Sequence, residues 1–323
     1  MDKSTKIIGI DISKDFFDVV DMSNQHFQFQ NSSKGFKAFS KLLSADSVCV
    51  MEATGYYHLR LAYFLLENEF KVSIVNPLSV KRFIQMKLSK IKTDKSDAKM
   101  IRLYGQNNEL KLWKGNSENQ VELLQIARLL DSYTKQTTAL KNKIHGEKTL
   151  GKPSTIVFHS LKRSLKFIQK EKELLEARME TLVKEDHAAM LTNLESIPGM
   201  GRKTASLLIV YTDAFSRFDS AAALCSYCGI TPIIRKSGTS VNGRPRISKM
   251  GNQKLRNLLF LCSFTASMHN KACKDIYQRI TNKGKSKKLA LIAVSNKLLK
   301  QAFAIAKSGI PYDQSYKSVL ISH

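Results

Sequence analysis

Over the first third of the chain, apolar positions fall in short blocks separated by polar breaks. K-I-I-G-I-D-I-S (6–13), F-F-D-V-V-D-M-S (16–23) and H-F-Q-F-Q-N (26–31) read as three consecutive strands joined by short polar turns, an antiparallel meander. G-F-K-A-F-S-K-L-L-S-A then reads as a helix, V-C-V-M-E-A as a buried strand and Y-H-L-R-L-A-Y-F-L-L-E-N-E-F as an amphipathic helix. K-V-S-I-V-N-P is a further strand, with a helix starting near Pro77. The order βββαβαβα predicts an α/β layer: a mixed sheet with helices on its faces, as in ribonuclease-H-like folds.

From residue 117 the period changes. Leu123, Ile126, Leu130, Tyr133, Thr137, Leu140 and Ile144 follow alternating spacings of three and four, a heptad seam that Gly146, Gly151 and Pro153 are expected to break. A second seam runs through Leu161, Leu165, Ile168, Leu175, Met179 and Leu182, with Lys172 in one seam position. The two helices suit either an intramolecular hairpin or a coiled coil with a second subunit. Residues 191–323 read as mostly helical with glycine punctuation. Their polar stretch from Thr231 to Asn252 lacks periodicity, and a loop of that length in a compact domain is usually functional or disordered. Three domains are therefore expected: 1–112, a helical coiled-coil linker at 113–190, and a C-terminal domain at 191–323.

Charge sharpens this picture. The 323 residues carry 52 Lys and Arg against 27 Asp and Glu, a formal net charge of +25. The 43% hydrophobic content excludes a disordered basic tail, and such an excess points to a polyanionic partner. No apolar run approaches the roughly 20 residues of a membrane span, and Asp11 interrupts the first apolar stretch, so neither a span nor a signal peptide is expected. Residues 235–323 hold 18 basic side chains and only two acids, Asp275 and Asp313, a surplus of 16. Five scattered cysteines (Cys49, Cys225, Cys228, Cys262, Cys273) suit reduced thiols in the cytoplasm. Cys225 and Cys228 form a C-x-x-C without a second pair, and read as small buried hydrophobes rather than zinc ligands.

The candidate chemistry begins with acids. Asp11 lies inside the first strand and Glu52 ends the fourth, positions where a carboxylate is costly without a partner. Asp94 and Asp97 are three apart and share one helix face. Converged over a sheet, four carboxylates need cations, and hard oxygens suit Mg²⁺ or Mn²⁺ for phosphodiester displacement. Tyr56 and Tyr57 beside Glu52 are expected in the core, with base stacking as the alternative. S-I-P-G-M-G-R-K-T-A (196–205) resembles a helix-hairpin-helix, whose backbone N–H groups, with Arg202 and Lys203, would face a phosphate. In the polar loop Ser237 precedes Gly238 among Arg235, Lys236, Arg244, Arg246 and Lys249, with Arg256 just beyond. Such cations would stabilise charge during serine attack on phosphorus, although Ser240 and Ser248 are competing hydroxyls.

G-I-D-I-S-K, M-E-A-T-G-Y-Y, K-T-D-K-S-D-A-K, I-P-G-M-G-R-K-T-A, G-I-T-P, S-G and I-S-K-M-G-N occur in the order of one family. The chain resembles the insertion-sequence transposases of the IS-one-ten family, relatives of the Piv DNA invertases. The resemblance spans almost the whole chain. It implies a RuvC-like domain whose DEDD set, Asp11, Glu52, Asp94 and Asp97, binds metal, and a C-terminal domain in which Ser237 attacks DNA. It also implies partners: donor and target duplex DNA, a structured non-coding guide RNA (a bridge RNA) and further copies of the chain, in a prokaryotic cytoplasm at the nucleoid. Ile233 after Pro232 and Met250 after Lys249 depart from the family, which usually has Arg at both places. The rival readings are a metal-dependent junction-resolving nuclease that uses water and a non-catalytic nucleic-acid scaffold. An actin-like ATPase is disfavoured, because I-D-I-S-K lacks the glycine of that phosphate loop.

Overall fold

Apolar residues of K-I-I-G-I-D-I and S-V-C-V-M-E fall on both faces of their strands, and the sheet they build is covered on both sides. In the computed structural model, which describes residues 6–53, 55–88, 93–152, 154–233 and 246–315 and the backbone at 236–237 and 241–242, the chain forms two compact units that divide after Asn116.

The first unit contains a five-stranded sheet in the order β3-β2-β1-β4-β5. Its strands are β1 (Lys6–Ile12), β2 (Phe16–Val20), β3 (His26–Gln30), β4 (Ser47–Glu52) and β5 (Lys71–Val75). β1, β2 and β3 form the expected antiparallel meander, while β4 and β5 run parallel to β1. The helices are α1 (Ser33–Ser40), α2 (Tyr57–Glu67), α3 (Pro77–Met86) and α4 (Asp94–Asn107), so the element order matches the sequence reading. Strand alternation sorts the side chains. Ile8, Ile10, Ile12, Phe17 and Met51 pack with Phe36 and Phe39 of α1 and Leu61 and Leu65 of α2. Ile7, Val48 and Val50 face the other way, against Val80 of α3 and Ile101 of α4.

The second unit is helical. α5 (Glu118–Thr149) and α6 (Thr155–Glu195) pack together antiparallel: Arg178 forks onto Glu122 at 2.7 and 2.9 Å, and Asn119 donates to Asp186 at 3.1 Å. The two seam helices therefore pack as a hairpin within the chain. Leu123, Ile126 and Leu130 are buried beside Met179, Leu182 and Val183. Gly146 does not end the first helix as expected. α5 continues to Thr149, because one glycine costs a long helix only about 1 kcal/mol, and the left-handed break comes at Gly151, with φ +78°. Pro153 lies outside the described residues. α6 bends at His187 (φ −141°) and continues past residue 190.

The remainder comprises α7 (Arg202–Thr212), α8 (Ala221–Tyr227), α9 (Gln253–His269), α10 (Lys271–Asn282) and α11 (Lys287–Ser308). Between α8 and α9 the polar stretch forms two nested antiparallel ribbons: β6 (Pro232–Ile233) with β9 (Arg246–Ile247), and β7 (Lys236–Ser237) with β8 (Val241–Asn242). One correction concerns α11, which is long and apolar enough to cross a membrane by length and composition. Its apolar residues are a core stripe, with Ala290, Val294, Leu298, Leu299 and Ala302 all buried against neighbouring helices of the same unit.

Candidate active site

Asp11 and Glu52 reach the same place by register. β1 and β4 are adjacent and parallel, and Ile10 pairs with Met51, so the two acids follow at the carboxyl ends of neighbouring strands. That end is where open α/β sheets gather their ligands. Ile10 and Met51 face α1 and α2, so alternation turns Asp11 and Glu52 to the opposite side, where α4 lies.

Two glycines set how closely α4 approaches. A Cβ on Gly9 would lie 2.2 Å from the Ala98 carbonyl oxygen and 2.4 Å from the Arg102 amide nitrogen. A Cβ on Gly105 would lie 2.9 Å from Ile7 Cγ2 and 3.0 Å from Val50 Cγ2. Gly105 therefore sits over Ile7 and Ala98–Arg102 over Gly9, so the helix runs against β1. Following it back by about 1.5 Å per residue carries its first turn towards Asp11 and Glu52. That turn contains Asp94 and Asp97, fixed by a capping box in which Thr93 accepts from Ser96 N and Ser96 Oγ accepts from Thr93 N. Arg102 ties the same helix to the β2–β3 turn, donating to Asn24 Oδ1 at 2.7 Å.

The electrostatics agree with this placement. Burial, then the negative charges of Asp97, Asp94, Glu52 and Asp18, push the Asp11 carboxyl from 3.8 up to about 6. The fifth acid, Asp18, was not singled out in the sequence. It pairs directly with Asp11 across β1 and β2, is buried, and meets His26 Nε2 at 2.6 Å and Gln28 Nε2 at 3.4 Å. All these donors are hard carboxylate oxygens whose crowding a divalent cation would relieve, so the set fits Mg²⁺ or Mn²⁺ in kind. Among the described residues, however, no three His, Cys, Asp or Glu side chains close around a common metal position.

Tyr56 and Tyr57 correct a second expectation. They are 60% and 46% exposed, not core, because α2 begins at Tyr57 and presents this first turn to solvent beside the strand end.

In the second unit the predicted cations divide. Arg202 is held by Glu195 at 2.6 Å and Glu180 at 2.8 Å, and Lys203 by Glu176 at 2.5 Å, so a phosphate at this turn has three carboxylates of α6 to displace. Arg256 donates to the Cys228 carbonyl at 2.9 Å, closing the end of α8 where the ribbons begin. Arg246 and Lys249 are exposed at the ribbon base, with no acid paired to them among the described residues. Ser237 and Lys236 lie in β7, opposite Val241 and Asn242, and only their backbone is described. Arg235, Arg244 and Ser240 fall outside the described residues. Cys225 and Cys228 are buried and free, and burial pushes the Cys228 thiol up to about 12.

Two family profiles match the chain: one described as a transposase, of the DEDD IS110 type, over residues 8–147, and one described as the IS116/IS110/IS902 transposase family over residues 191–278. The chain belongs to the IS110/IS116 family of insertion-sequence transposases. This transposase is 29% identical over 321 residues to the pilin gene-inverting protein of Moraxella bovis, covering 96% of the chain and 98% of that protein. It is 23% identical over 284 residues to the transposase for insertion sequence element IS1111A of Coxiella burnetii, covering 80% and 76%. It also shares 31% identity over 171 residues with an insertion element IS110 protein of Streptomyces coelicolor, covering 52% and 42%. Membership supports phosphoryl transfer on DNA in general terms.

Proposed function

We propose that this transposase cuts and rejoins DNA using Asp11, Glu52, Asp94 and Asp97 as a divalent-metal site and Ser237 as nucleophile. The observation that supports the reading is geometric: Asp11 and Glu52 lie at the ends of neighbouring parallel strands, and the close seating of α4 on Gly9 directs its first turn, with Asp94 and Asp97, towards them. Mg²⁺ or Mn²⁺ held by these carboxylates would supply neutralisation and polarisation of a phosphoryl oxygen.

The chain's own residues do the rest. Asp11 and Glu52 offer oxygens from strand ends, and α4, seated closely on Gly9, brings in Asp94 and Asp97 from its first turn. Ser237 Oγ attacks phosphorus. An Oγ–P bond forms as one backbone P–O bond breaks, and the freed deoxyribose hydroxyl of another strand later reverses the exchange, so no external energy source is required. Exposed Arg246 and Lys249 steady the phosphate at the ribbon base, and exposed Tyr56 and Tyr57 offer stacking faces beside the acids. The surplus of 16 positive charges over 235–323 suits several backbones at once: donor duplex, target duplex and a structured guide RNA, gripped by more than one copy of the chain. Relatedness to bacterial transposases supports a cytoplasmic site of action.

The test is recombination between plasmids carrying the element ends, with and without the adjoining non-coding segment. Asp11→Asn and Glu52→Gln should abolish it, and Ser237→Ala should also abolish a covalent protein–DNA adduct that maps to position 237. Cutting that persists in Ser237→Ala means a water-using nuclease. Full activity in the acid variants means the carboxylates are not catalytic.

A further inference from the structure

The second unit contains a cavity of about 950 Å³ at the root of the serine ribbons. Its apolar lining is aliphatic, with Ile230, Ile276, Ile280, Leu289 and Ile292 and, among the described residues, no aromatic ring. Six cations line it as well: Arg246 and Lys249 from the ribbon base, Arg279 from α10, and Lys288, Lys297 and Lys300 from α11. No acid lines it. Asn296 adds an amide able to donate and accept, and Thr231, also in the lining, has a buried hydroxyl with no hydrogen-bond partner among the described residues.

An aliphatic floor ringed only by positive charge matches a molecule that is flat and apolar in the middle and anionic at both ends. We infer that this cavity receives one unstacked nucleotide of a bound nucleic-acid strand, its base among the isoleucines and its flanking phosphates on the cations of the ribbon, α10 and α11. The volume lies at the upper end for ligand pockets, roomy enough for a base with its sugar. A paired duplex has no exposed base face to offer, so the cavity distinguishes a splayed nucleotide from a continuous helix. An acidic peptide helix also meets the charge, but it brings its own carboxylates along one whole face rather than at two ends of an apolar group, and it is retained as an outcome of the test. The inference rests on the nucleic-acid reading above and adds to it: the basic surface selects distorted strands as well as gripping backbone.

The test uses the full chain and three fluorescent probes: a paired DNA duplex, the same duplex with one unpaired 2-aminopurine, and the matching RNA duplex with one unpaired 2-aminopurine. The unpaired probe should bind about tenfold more tightly than the paired one, from burial of the base against aliphatic side chains, with its fluorescence changed by the apolar surroundings. Ala293→Trp or Ala222→Trp, each filling the cavity from a different helix, should erase that preference and leave affinity for paired duplex unchanged. Preference for the DNA or for the RNA probe identifies the source of the nucleotide. Equal binding of paired and unpaired probes, or a preference that survives both fillings in folded protein, overturns the inference while leaving duplex binding intact. Binding of none of the probes removes the nucleic-acid reading as well. Competition by a poly-glutamate peptide alone, without any unpaired-base preference, reassigns the cavity to an acidic protein segment.

Discussion

Asp11 shows what a crowded carboxylate does to a fold. Its folded value of about 6 lies above the unfolded 3.8, so between these pH values the folded chain binds more protons than the unfolded one. Stability from this residue is therefore greatest below pH 4 and falls as pH rises through 6. Asp11→Asn should stabilise the metal-free protein at pH 7.5 by on the order of 2 kcal/mol after allowance for partial solvent exposure, and much less at pH 4.5. Urea denaturation at the two pH values measures the difference. Mg²⁺ should raise the melting temperature of the native chain at pH 7.5, more weakly at pH 5, and not in Asp11→Asn. A second residue behaves oppositely to intuition. Thr137 is buried on the α5 seam with its hydroxyl unpartnered, so Thr137→Val should stabilise by up to about 1 kcal/mol in the same denaturation experiment. Asp11 and Glu52 were legible because a charge in a run of β-branched residues is conspicuous. Asp18 was not, because F-F-D-V-V reads as ordinary alternation until pairing puts it across from Asp11.

At the scale of elements, period decided what could be read. Strand blocks and heptad seams repeat locally, so the meander, the order of β4 and β5 and both long helices follow from spacing alone. The ion pairs of Arg202 and Lys203 do not, since their partners Glu195, Glu180 and Glu176 lie 7, 22 and 27 residues earlier and meet them only after the chain turns back. The ribbons carrying Ser237 were invisible for a different reason: their pairing is by backbone, and two-residue strands leave no hydrophobic pattern. The helix pair at the base of α5 and α6 is held by burial, with Leu182 1% exposed. Leu182→Ala should destabilise the second unit by about 3 kcal/mol. Gly9→Ala should cost the first unit about 3 kcal/mol, because the added carbon meets helix backbone rather than a side chain able to move aside. Both are measured by chemical denaturation, and Gly9→Ala should also weaken the thermal response to Mg²⁺.

For the molecule as a whole, the two units divide the charge. Asp11, the carboxyl pushed up by burial and neighbouring acids, belongs to the first unit, and the basic surplus of 235–323 to the second. A polyanion held by that surplus releases counterions, so the logarithm of duplex affinity should fall linearly with that of salt concentration. A slope of about −5 or steeper corresponds to six or more neutralised phosphates, and titrations from 50 to 200 mM salt measure it. Lys288→Ala and Lys297→Ala together should make the slope shallower by roughly 2, without touching the Mg²⁺ response. Sequence alone gave the surplus its position, but not the cavity, whose walls come from α8, the ribbons, α10 and α11 and so exist only once these are folded together.

The seating of α4 on Gly9 carries one more consequence. Most active-site distances are adjustable, because side chains between the supporting elements can trade volume with one another over generations of mutation. At Gly9 the strand backbone meets the Ala98 carbonyl and the Arg102 amide directly, so at that point of the joint there is no strand side chain to re-tune. The spacing between the strand-borne and helix-borne acids is accordingly set in part by backbone at Gly9, so drift elsewhere in the surrounding core should reduce stability before it alters that spacing.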